Sequence, residues 1–385
     1  MRALPCVIAV LLLSCSLSLA QSSPAPVQPR QIEFVQMQAA IPEPPTGFRG
    51  EGVWHLCYEI HLTNVSPSPW TLQRIQVSNE NGAPLSDISD KGLEAVLYHP
   101  GHMPDAQPSP LNAIGPGEAI IAYMWIDLAQ NAPMPKRLQH ELTVQQAGTA
   151  NRVTVQSVST AVLTELPQIS SPLRGKNWVA GSAPSNSSPH RRAVIIYEGK
   201  PYIAQRYAID WVQFGNNNET YRGDAKDNRS YYCFGQEAYA VADATVVEVK
   251  DGLPENTPNE KAAVPINFDT VAGNHVNLDL GGGVYAMYAH LQPGSIRVKV
   301  GDRVTTGQVI GLVGNTGNSS EPHLHFQLMS ARSPLGGEGL PYTFATFYQV
   351  GKMTKQPPDT VFERTPPTAH HGEMPLENAI VNFEQ

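Results

Sequence analysis

The chain has 385 residues, enough for two or three domains, and only 16% of them are charged. The formal net charge is −8, and the sequence has no basic stripe that could neutralise a run of phosphates, which argues against nucleic acid as a partner. The 34 prolines and 31 glycines favour a β protein rich in turns.

Residues 1–20 have the pattern of an export signal. Arg2 gives a positive start, Val7–Leu13 gives an apolar core, and Ala20 ends a run of small residues before the expected cleavage point. The apolar core is too short to span a bilayer, and no later segment of the sequence is long and apolar enough to do so. We therefore expect an exported protein, periplasmic or extracellular. As an alternative, cleavage at a lipoprotein box would leave a lipid anchor on Cys15.

Two cysteines, Cys57 and Cys233, remain after removal of this signal. Export permits a disulfide between them. They fall in different predicted domains, however, and neither lies in a metal-ligand spacing such as C-x-x-C. Two separate buried thiols and one disulfide are both compatible with the sequence.

Residues 31–166 contain short apolar segments separated by turns. Between Trp54 and Leu62 every second residue is apolar, which predicts a half-buried strand. Ala119–Leu128 is predicted to be a strand buried on both faces. Because no convincing helix is present, the pattern predicts an antiparallel β-sandwich that is immunoglobulin-like in a loose sense.

The rest of the chain divides into a linker, a second β-rich domain and a tail. Residues 167–192 are rich in proline and serine, and the run from Ser182 to Ser188 cannot bury a core, so a linker is expected there. The second domain is expected over residues 193–350. Residues 351–385 show little periodicity and are expected to form a tail that is loosely docked or disordered.

The second domain shows strands in a regular order. A strand is expected within residues 241–249, and apolar residues alternate over 276–280 and again over 285–289, with three glycines between these two segments. His290 lies at the end of the returning strand. A strand, a turn and another strand are expected over Ile296–Gly311.

His323 and His325 stand two residues apart in the next predicted strand. Residues with this spacing point to the same face, with Cα atoms about 6.5–7 Å apart. The two imidazoles can therefore converge on one ion or one reacting group. A pair of satisfied core histidines is the alternative, but the turn-rich segment Gly314–Ser320 before them favours a site.

These motifs, in this order, resemble the zinc peptidases of the lysostaphin/LytM type, the M23 family. The segments that carry the resemblance are Ala208-Ile209-Asp210, Val241-Ala242-Asp243, Tyr288-Ala289-His290-Leu291, Val300–Gly311, Gly314–Gly317 and Pro322–Phe326. They cover roughly residues 200–330 and do not reach the first domain. The resemblance implies a LytM-type β-sheet peptidase domain after the sandwich, and an exported zinc metalloendopeptidase that hydrolyses peptide bonds in bacterial peptidoglycan.

The resemblance also implies roles for four side chains. Asp210 and His325 look like ligands of one zinc ion. His290 and His323 look like the histidines that activate water and stabilise the tetrahedral intermediate. These residue types suit the chemistry, because zinc accepts carboxylate and neutral imidazole with one position left open, and a further imidazole can take or give a proton. The implied partners are peptidoglycan peptides.

Arg206 departs from the family pattern. The family's first ligand motif is a histidine, three residues and then the aspartate, and Arg206 stands where that histidine is expected. A guanidinium stays protonated and offers no free lone pair, so Arg206 cannot bind the metal.

Three outcomes of this departure are open. Another histidine, His190 or His275, supplies the missing ligand. Zinc binds weakly through the ligands that remain. In the third outcome Arg206 pairs with Asp210 and fills the metal position, which leaves a catalytically inactive LytM-type module that binds the cell wall or regulates another wall hydrolase. The retained polar cluster favours the enzyme, because an abandoned site has no physical need for it.

Overall fold

The computed structural model describes residues 36–102, 104–216, 218–355 and 360–384. Strand accounts for 48% of the structure and helix for 4%, which confirms the predicted all-β class. The expected export signal at residues 1–20 and the alternative lipid site at Cys15 lie outside the described residues. Among the helices that are described, none has the length and apolar character needed to cross a membrane.

The first half, residues 36–163, is built from short strands with a brief helix. In chain order the elements are β1 (Met37–Ala40), β2 (Phe48–Gly50), β3 (Val53–Asn64), β4 (Trp70–Asn79), β5 (Pro84–Ser89), α1 (Lys91–Val96), β6 (Leu97–Tyr98), a 3₁₀ turn (Pro104–Ala106), β7 (Ala113–Ile114), β8 (Ala119–Leu128), β9 (Arg137–Gln146) and β10 (Arg152–Ala161).

These strands form two antiparallel sheets within the described residues. One has the order β1-β3-β8-β6 with β2 beside β3, and the other has the order β10-β9-β4-β5 with β7 beside β4. Their side chains share one hydrophobic core, to which Leu56 and Ile126 contribute from the first sheet and Leu72 and Leu142 from the second. The immunoglobulin-like character of this sandwich stays a prediction.

β3 is buried on both faces, although its sequence predicts a half-buried strand. Leu56 and Ile60 enter the core between the two sheets. Cys57 and Glu59, on the other face, turn towards the second half of the chain, where Cys57 joins the main core and Glu59 is only 2% exposed. The alternation of apolar and polar residues along β3 therefore directs one face into the sandwich core and the other into the core of the second half.

The second half, residues 167–384, holds the large sheet. In chain order its elements are β11 (Gln168–Ile169), β12 (Gly175–Gly181), α2 (Pro189–Arg192), β13 (Ile195–Tyr197), β14 (Lys200–Tyr202), β15 (Ile209–Gln213), a 3₁₀ turn (Asn228–Ser230), β16 (Glu237–Tyr239), β17 (Ala244–Lys250), β18 (Asn274–Gly281), β19 (Val284–Leu291), β20 (Arg303–Val304), β21 (Val309–Leu312), β22 (Leu324–Met329), β23 (Gly339–Leu340), β24 (Thr343–Phe344), β25 (Phe347–Lys355), β26 (Val361–His370) and β27 (Ala379–Phe383). The large sheet has the order β20-β17-β18-β19-β22-β15-β12-β27-β25-β26, with β23 beside β22. Small two-stranded pairs are β11-β24, β13-β14 and β16-β21.

Parts of the expected linker and tail lie inside this sheet. β12, from the expected linker, pairs with β15 on one side and with β27, from the expected tail, on the other. Val179 and Val381 are fully buried there. The expectation of a loosely docked tail is therefore corrected: a strand of five residues is too short to show a periodicity in the sequence, yet it is an inner strand. The domain boundaries at 31–166, 167–192 and 193–350 stay predictions.

The hairpin of β18 and β19 forms as predicted, and the glycines between its strands all have positive φ, from +64° to +85°. The strand expected at Ile296–Val300 is absent from the described structure. Arg297 donates its backbone N–H to Ile310 at 2.9 Å, but Lys299 donates its N–H to the Asp302 carboxylate at 3.0 Å, which ends the pairing.

Cys57 and Cys233 are buried, unpaired thiols. Burial raises the pKa of both groups, to about 12 for Cys233. The Cys233 thiol donates to the carbonyl of Pro322 at 2.9 Å, directly before the segment that carries His323 and His325. Of the two states compatible with the sequence, the structure has the separate thiols.

Candidate metal and catalytic site

Asp210 and His325 are direct cross-strand neighbours in the large sheet. β15 carries the aspartate and β22 carries the histidine, and His325 Nδ1 lies 2.8 Å from Asp210 Oδ1. Residues that lie opposite each other in an antiparallel pair present their side chains to the same face at short range. Strand pairing therefore brings together the two residues that the sequence resemblance implies as ligands.

His190 joins this pair from α2. Its Nε2 lies 3.2 Å from Asp210 Oδ2, and its ring centroid lies 4.9 Å from that of His325. One ligand atom from each of His190, Asp210 and His325 lies within 4.8 Å of the other two. His190 is thus the alternative histidine that reaches the cluster.

His275 lies elsewhere, on β18. Its Nδ1 is 2.9 Å from the carbonyl of Gly273, and its Nε2 is 3.5 Å from Glu248. It lines a second cavity, of about 470 Å³, together with Lys250 and Arg332. It is not placed to supply the missing ligand.

Arg206 does not pair with Asp210. Its guanidinium is 6% exposed, and it lies 2.9 Å from Glu59 Oε2 through Nη2 and 2.8 Å from Glu338 Oε2 through Nη1. Burial opposes the charge, but the two carboxylates more than offset it and hold the pKa of Arg206 well above its ordinary value. Of the three open outcomes, the one in which Arg206 pairs with Asp210 and fills the metal position is therefore wrong.

His290 and His323 lie side by side next to the cluster, with ring centroids 4.7 Å apart. His290 Nδ1 is 2.7 Å from the carbonyl of Thr316, and His323 Nδ1 is 2.8 Å from the carbonyl of Glu321. Because a carbonyl only accepts, each Nδ1 carries a proton. In the neutral form of each ring, the lone pair is therefore on Nε2. His323 Nε2 lies 3.4 Å from Asp210 Oδ1. All four predicted site residues therefore converge.

The backbone at His290 is also unusual. Its φ of +62° is one that residues other than glycine rarely adopt. Its N–H donates to the carbonyl of Ala272 at 3.0 Å, and its carbonyl accepts from Gly314 at 3.1 Å. These bonds, together with the bond from Nδ1 to Thr316, hold the ring at the end of β19. Backbone strain of this kind is concentrated at functional sites.

The charges of the cluster depend on one another. Burial raises the pKa of Asp210, but His190 and His323 more than offset this and hold it well below its ordinary value. Burial lowers the pKa of His190 and of His323, yet Asp210 raises both by more. Burial, His323 and His325 together hold the pKa of His290 well below its ordinary value. Asp210 is therefore ionised and His290 neutral near neutral pH.

These side chains line a groove of about 370 Å³. Apolar side chains such as Met287 and Leu335 form part of its walls, and the loop Asn318–Ser320 forms another part. A concave surface with apolar walls and a few converging polar groups is typical of a ligand site.

The residues present fit a zinc ion. Two imidazoles and a carboxylate are a donor set that zinc accepts. Gln327 Nε2 donates to the carbonyl of Pro334 at 3.3 Å, so its Oε1 faces His325 Nε2, 2.9 Å away, and accepts from it. The proton on Nε2 leaves a lone pair on His325 Nδ1, which faces an oxygen of the Asp210 carboxylate. A cation shared by these two groups satisfies both.

Comparison with known proteins agrees with the geometry. Residues 231–336 match the model of peptidase family M23. The M23 resemblance is confirmed. The matched segment contains His290, His323 and His325, whereas Asp210 and His190 lie before it.

Two curated endopeptidases resemble part of this chain. The peptidoglycan DD-endopeptidase ShyA of Vibrio cholerae serotype O1 is 38% identical over 84 residues, 22% of this chain and 19% of that protein. The glycyl-glycine endopeptidase ALE-1 of Staphylococcus capitis is 51% identical over 59 residues, 15% of this chain and 16% of that protein. The chain thus spans less than a fifth of the length of these relatives. Among solved structures, the catalytic domain of lysostaphin from Staphylococcus simulans is 24% identical and covers 43% of this chain and 88% of that chain, with a TM-score of 0.24.

Glu59 and Glu338 are charged residues near the cluster that the sequence does not point to. Glu59 lies on the polar side of an alternating strand, where a carboxylate predicts exposure to water. The one signal of burial in the sequence is Cys57, which lies on the same face of the strand as Glu59 and is a residue type that favours burial.

Proposed function

We propose that this protein is an exported zinc metalloendopeptidase that hydrolyses peptide bonds in bacterial peptidoglycan. The observation that carries the proposal is the convergence of His190, Asp210 and His325 beside two further histidines in one groove. The M23 match and the similarity to a peptidoglycan DD-endopeptidase support the substrate class. The signal-like pattern of residues 1–20 supports export.

His190, Asp210 and His325 would hold the zinc ion. When bound, zinc supplies Lewis-acid polarisation of the scissile carbonyl and activation of water. Gln327 fixes the tautomer of His325 through Nε2, at 2.9 Å, and so keeps Nδ1 available as a donor of electrons.

His290 and His323 are the proton-handling residues of the proposal. Thr316 and Glu321 hold the protonated Nδ1 of these rings at 2.7 and 2.8 Å, so each Nε2 can accept a proton from an attacking water. The same nitrogen can then return the proton to the leaving amine. His323, once protonated, keeps Asp210 as a partner at 3.4 Å.

The test compares two histidine variants in purified full-length protein. His190→Ala should lower zinc affinity by more than the roughly 10–100-fold that is typical for losing a residue that only orients a ligand. It should also abolish the release of new amino groups from purified peptidoglycan. His275→Ala is the matched control and should keep both properties, because His275 lies in another cavity.

Two results would contradict this proposal. Unchanged zinc affinity in His190→Ala would reject the ligand set. Zinc-loaded protein that binds peptidoglycan but releases no amino groups would instead indicate the catalytically inactive LytM-type module.

A further inference from the structure

We propose that Glu59, on β3 of the first half, is a positioning residue for His190 and acts through Arg191. The inference rests on the proposed function, because it takes His190 to be a metal ligand. It assigns the first half of the chain a part in building the metal site, although none of the described residues of that half belongs to the cluster of ligands.

Arg191 is fully buried, and each of its side-chain nitrogens has a partner. Nε lies 3.1 Å from Glu59 Oε1. Nη2 donates to the carbonyls of Tyr58 at 2.9 Å and Met124 at 2.8 Å, and Nη1 donates to Asn186. Tyr58 and Glu59 lie on β3 and Met124 lies on β8, so Arg191 fastens α2 to the first sheet.

α2 cannot hold its own position. It has four residues, and its N-cap side chain makes no capping hydrogen bond. Isolated helices much longer than this are marginal in water. Successive residues of a helical turn point about 100° apart. Fixing Arg191 against β3 therefore directs His190 to a different side, towards Asp210 at 3.2 Å.

The same carboxylate also holds the segment that leads into β15. Glu59 Oε2 lies 2.9 Å from Arg206, and Arg206 lies 2.8 Å from Glu338. Arg206 precedes Asp210 by four positions. Glu59 thus links α2, which carries His190, to the turn that leads into β15, which carries Asp210.

The charges of this network alternate, so that none is left alone in the interior. Arg191, Glu59, Arg206 and Glu338 contribute two positive and two negative groups. Burial raises the pKa of Glu59, but Arg206 and Arg191 more than offset it and leave that pKa below its ordinary value. Apolar residues could fill such an interface at least as stably. The paired guanidinium of Arg191 adds a fixed orientation of α2. His190, as a proposed metal ligand, needs that orientation.

The test measures metal binding rather than activity. Arg191→Met in the full-length protein should lower zinc affinity by about 10–100-fold in competition with a chromophoric chelator. The absorption spectrum of the Co²⁺-substituted protein should change as well, because His190 then has no fixed direction towards the ion. Glu59→Gln should act in the same direction.

Glu373→Gln is the matched control. Glu373 is also a buried carboxylate that pairs with an arginine of the first half, Arg49 at 3.4 Å, but it has no contact with α2. Its zinc affinity and Co²⁺ spectrum should equal those of the parent. If Arg191→Met does not fold, Arg191→Lys replaces it. Lysine keeps the charge, but its single nitrogen cannot take the places of both Nε and Nη2, so several-fold weaker zinc binding is expected.

Combining variants separates this inference from the proposed function. Unchanged zinc affinity in His190→Ala alone would overturn the ligand set itself. If His190→Ala weakens binding, then adding Arg191→Met to it should change the affinity by no more than about twofold, because Arg191 acts through His190. If Arg191→Met lowers the zinc affinity equally with and without His190, the positioning role is overturned. The same holds if the Arg191 variants fold and keep the zinc affinity and Co²⁺ spectrum of the parent.

Discussion

Glu255 is a carboxyl group whose charge the fold disfavours. Its Oε2 accepts from the backbone N–H of Asn315 at 2.6 Å, whereas its Oε1 is buried with no partner among the described residues. Burial raises its pKa to about 7, against the opposing effect of the bond from Asn315. Thr316, the next residue, provides the carbonyl that holds His290, so this titration takes place close to the groove.

The raised pKa gives a definite pH dependence. The folded state binds the proton of Glu255 more tightly than the unfolded state, whose value is 4.5. The contribution of protonated Glu255 to the free energy of unfolding is therefore fully present below pH 4.5 and is lost as the pH rises through about 7. Glu255→Gln cannot ionise. It should be more stable than the parent above pH 7 by about 1–2 kcal/mol, after allowance for partial exposure, and equal to it in acid.

Thermal unfolding between pH 4 and pH 8 measures this difference. Glu363→Gln, at an exposed position on β26, is the control and should follow the parent throughout. Parallel curves for Glu255→Gln and the parent would contradict the prediction.

At the level of single residues, short spacings made much of the site predictable. His323 and His325 are two positions apart, and His290 ends a recognisable hairpin. The sequence points to Asp210 only through the family resemblance, because Asp210 is 115 positions from His325, its partner across adjacent strands. The choice of His190 over His275 could not be made in this way. The contact that directs α2 joins Arg191 to Glu59, which are 132 positions apart in the chain.

Among the elements, β27 shows how a short strand can be central. It lies between β12 and β25, and β12 in turn borders β15, which carries Asp210. Ile380 packs into a small core with Val179, Val350 and Met353. β27 therefore supports β15, the strand that carries Asp210, through the single strand β12 between them. A segment of five residues is too short for its sequence to distinguish such a strand from a tail. The three glycines of the β18–β19 hairpin, by contrast, predict a turn.

Ile380→Ala should therefore destabilise the protein by about 2–5 kcal/mol, because it leaves a cavity in a closed core. Val361→Ala, on β26, is the control, since Val361 is 43% exposed, and its effect should stay within about 0.5 kcal/mol. Denaturant midpoints measure both. Equal midpoints for the two variants would contradict the inner position of β27.

At the level of the whole molecule, the two halves share buried surface. Phe48 and Cys57 of the first half belong to the main core of the second half, together with Tyr207 and Leu173. The described chain after residue 35 clusters as one compact unit. Composition and turn frequency predict an all-β protein, but they carry no information on how much surface two β-rich halves bury against each other.

This sharing predicts that both halves unfold together. Leu142→Ala, in the core of the first half, and Ile380→Ala, in the second, should each lower the temperature of one common calorimetric transition by several degrees. Two transitions, with only one of them moved by each variant, would contradict the prediction.

The double burial of β3 has a consequence for synthesis. A chain is made from its amino end, so Glu59 leaves the ribosome 132 residues before Arg191 and 147 residues before Arg206. During that interval the outer face of β3 meets water, which solvates a bare carboxylate well. His190 is directed only once Arg191 reaches Glu59, and the proposed ligand set is complete only with His325, made 115 residues after Asp210.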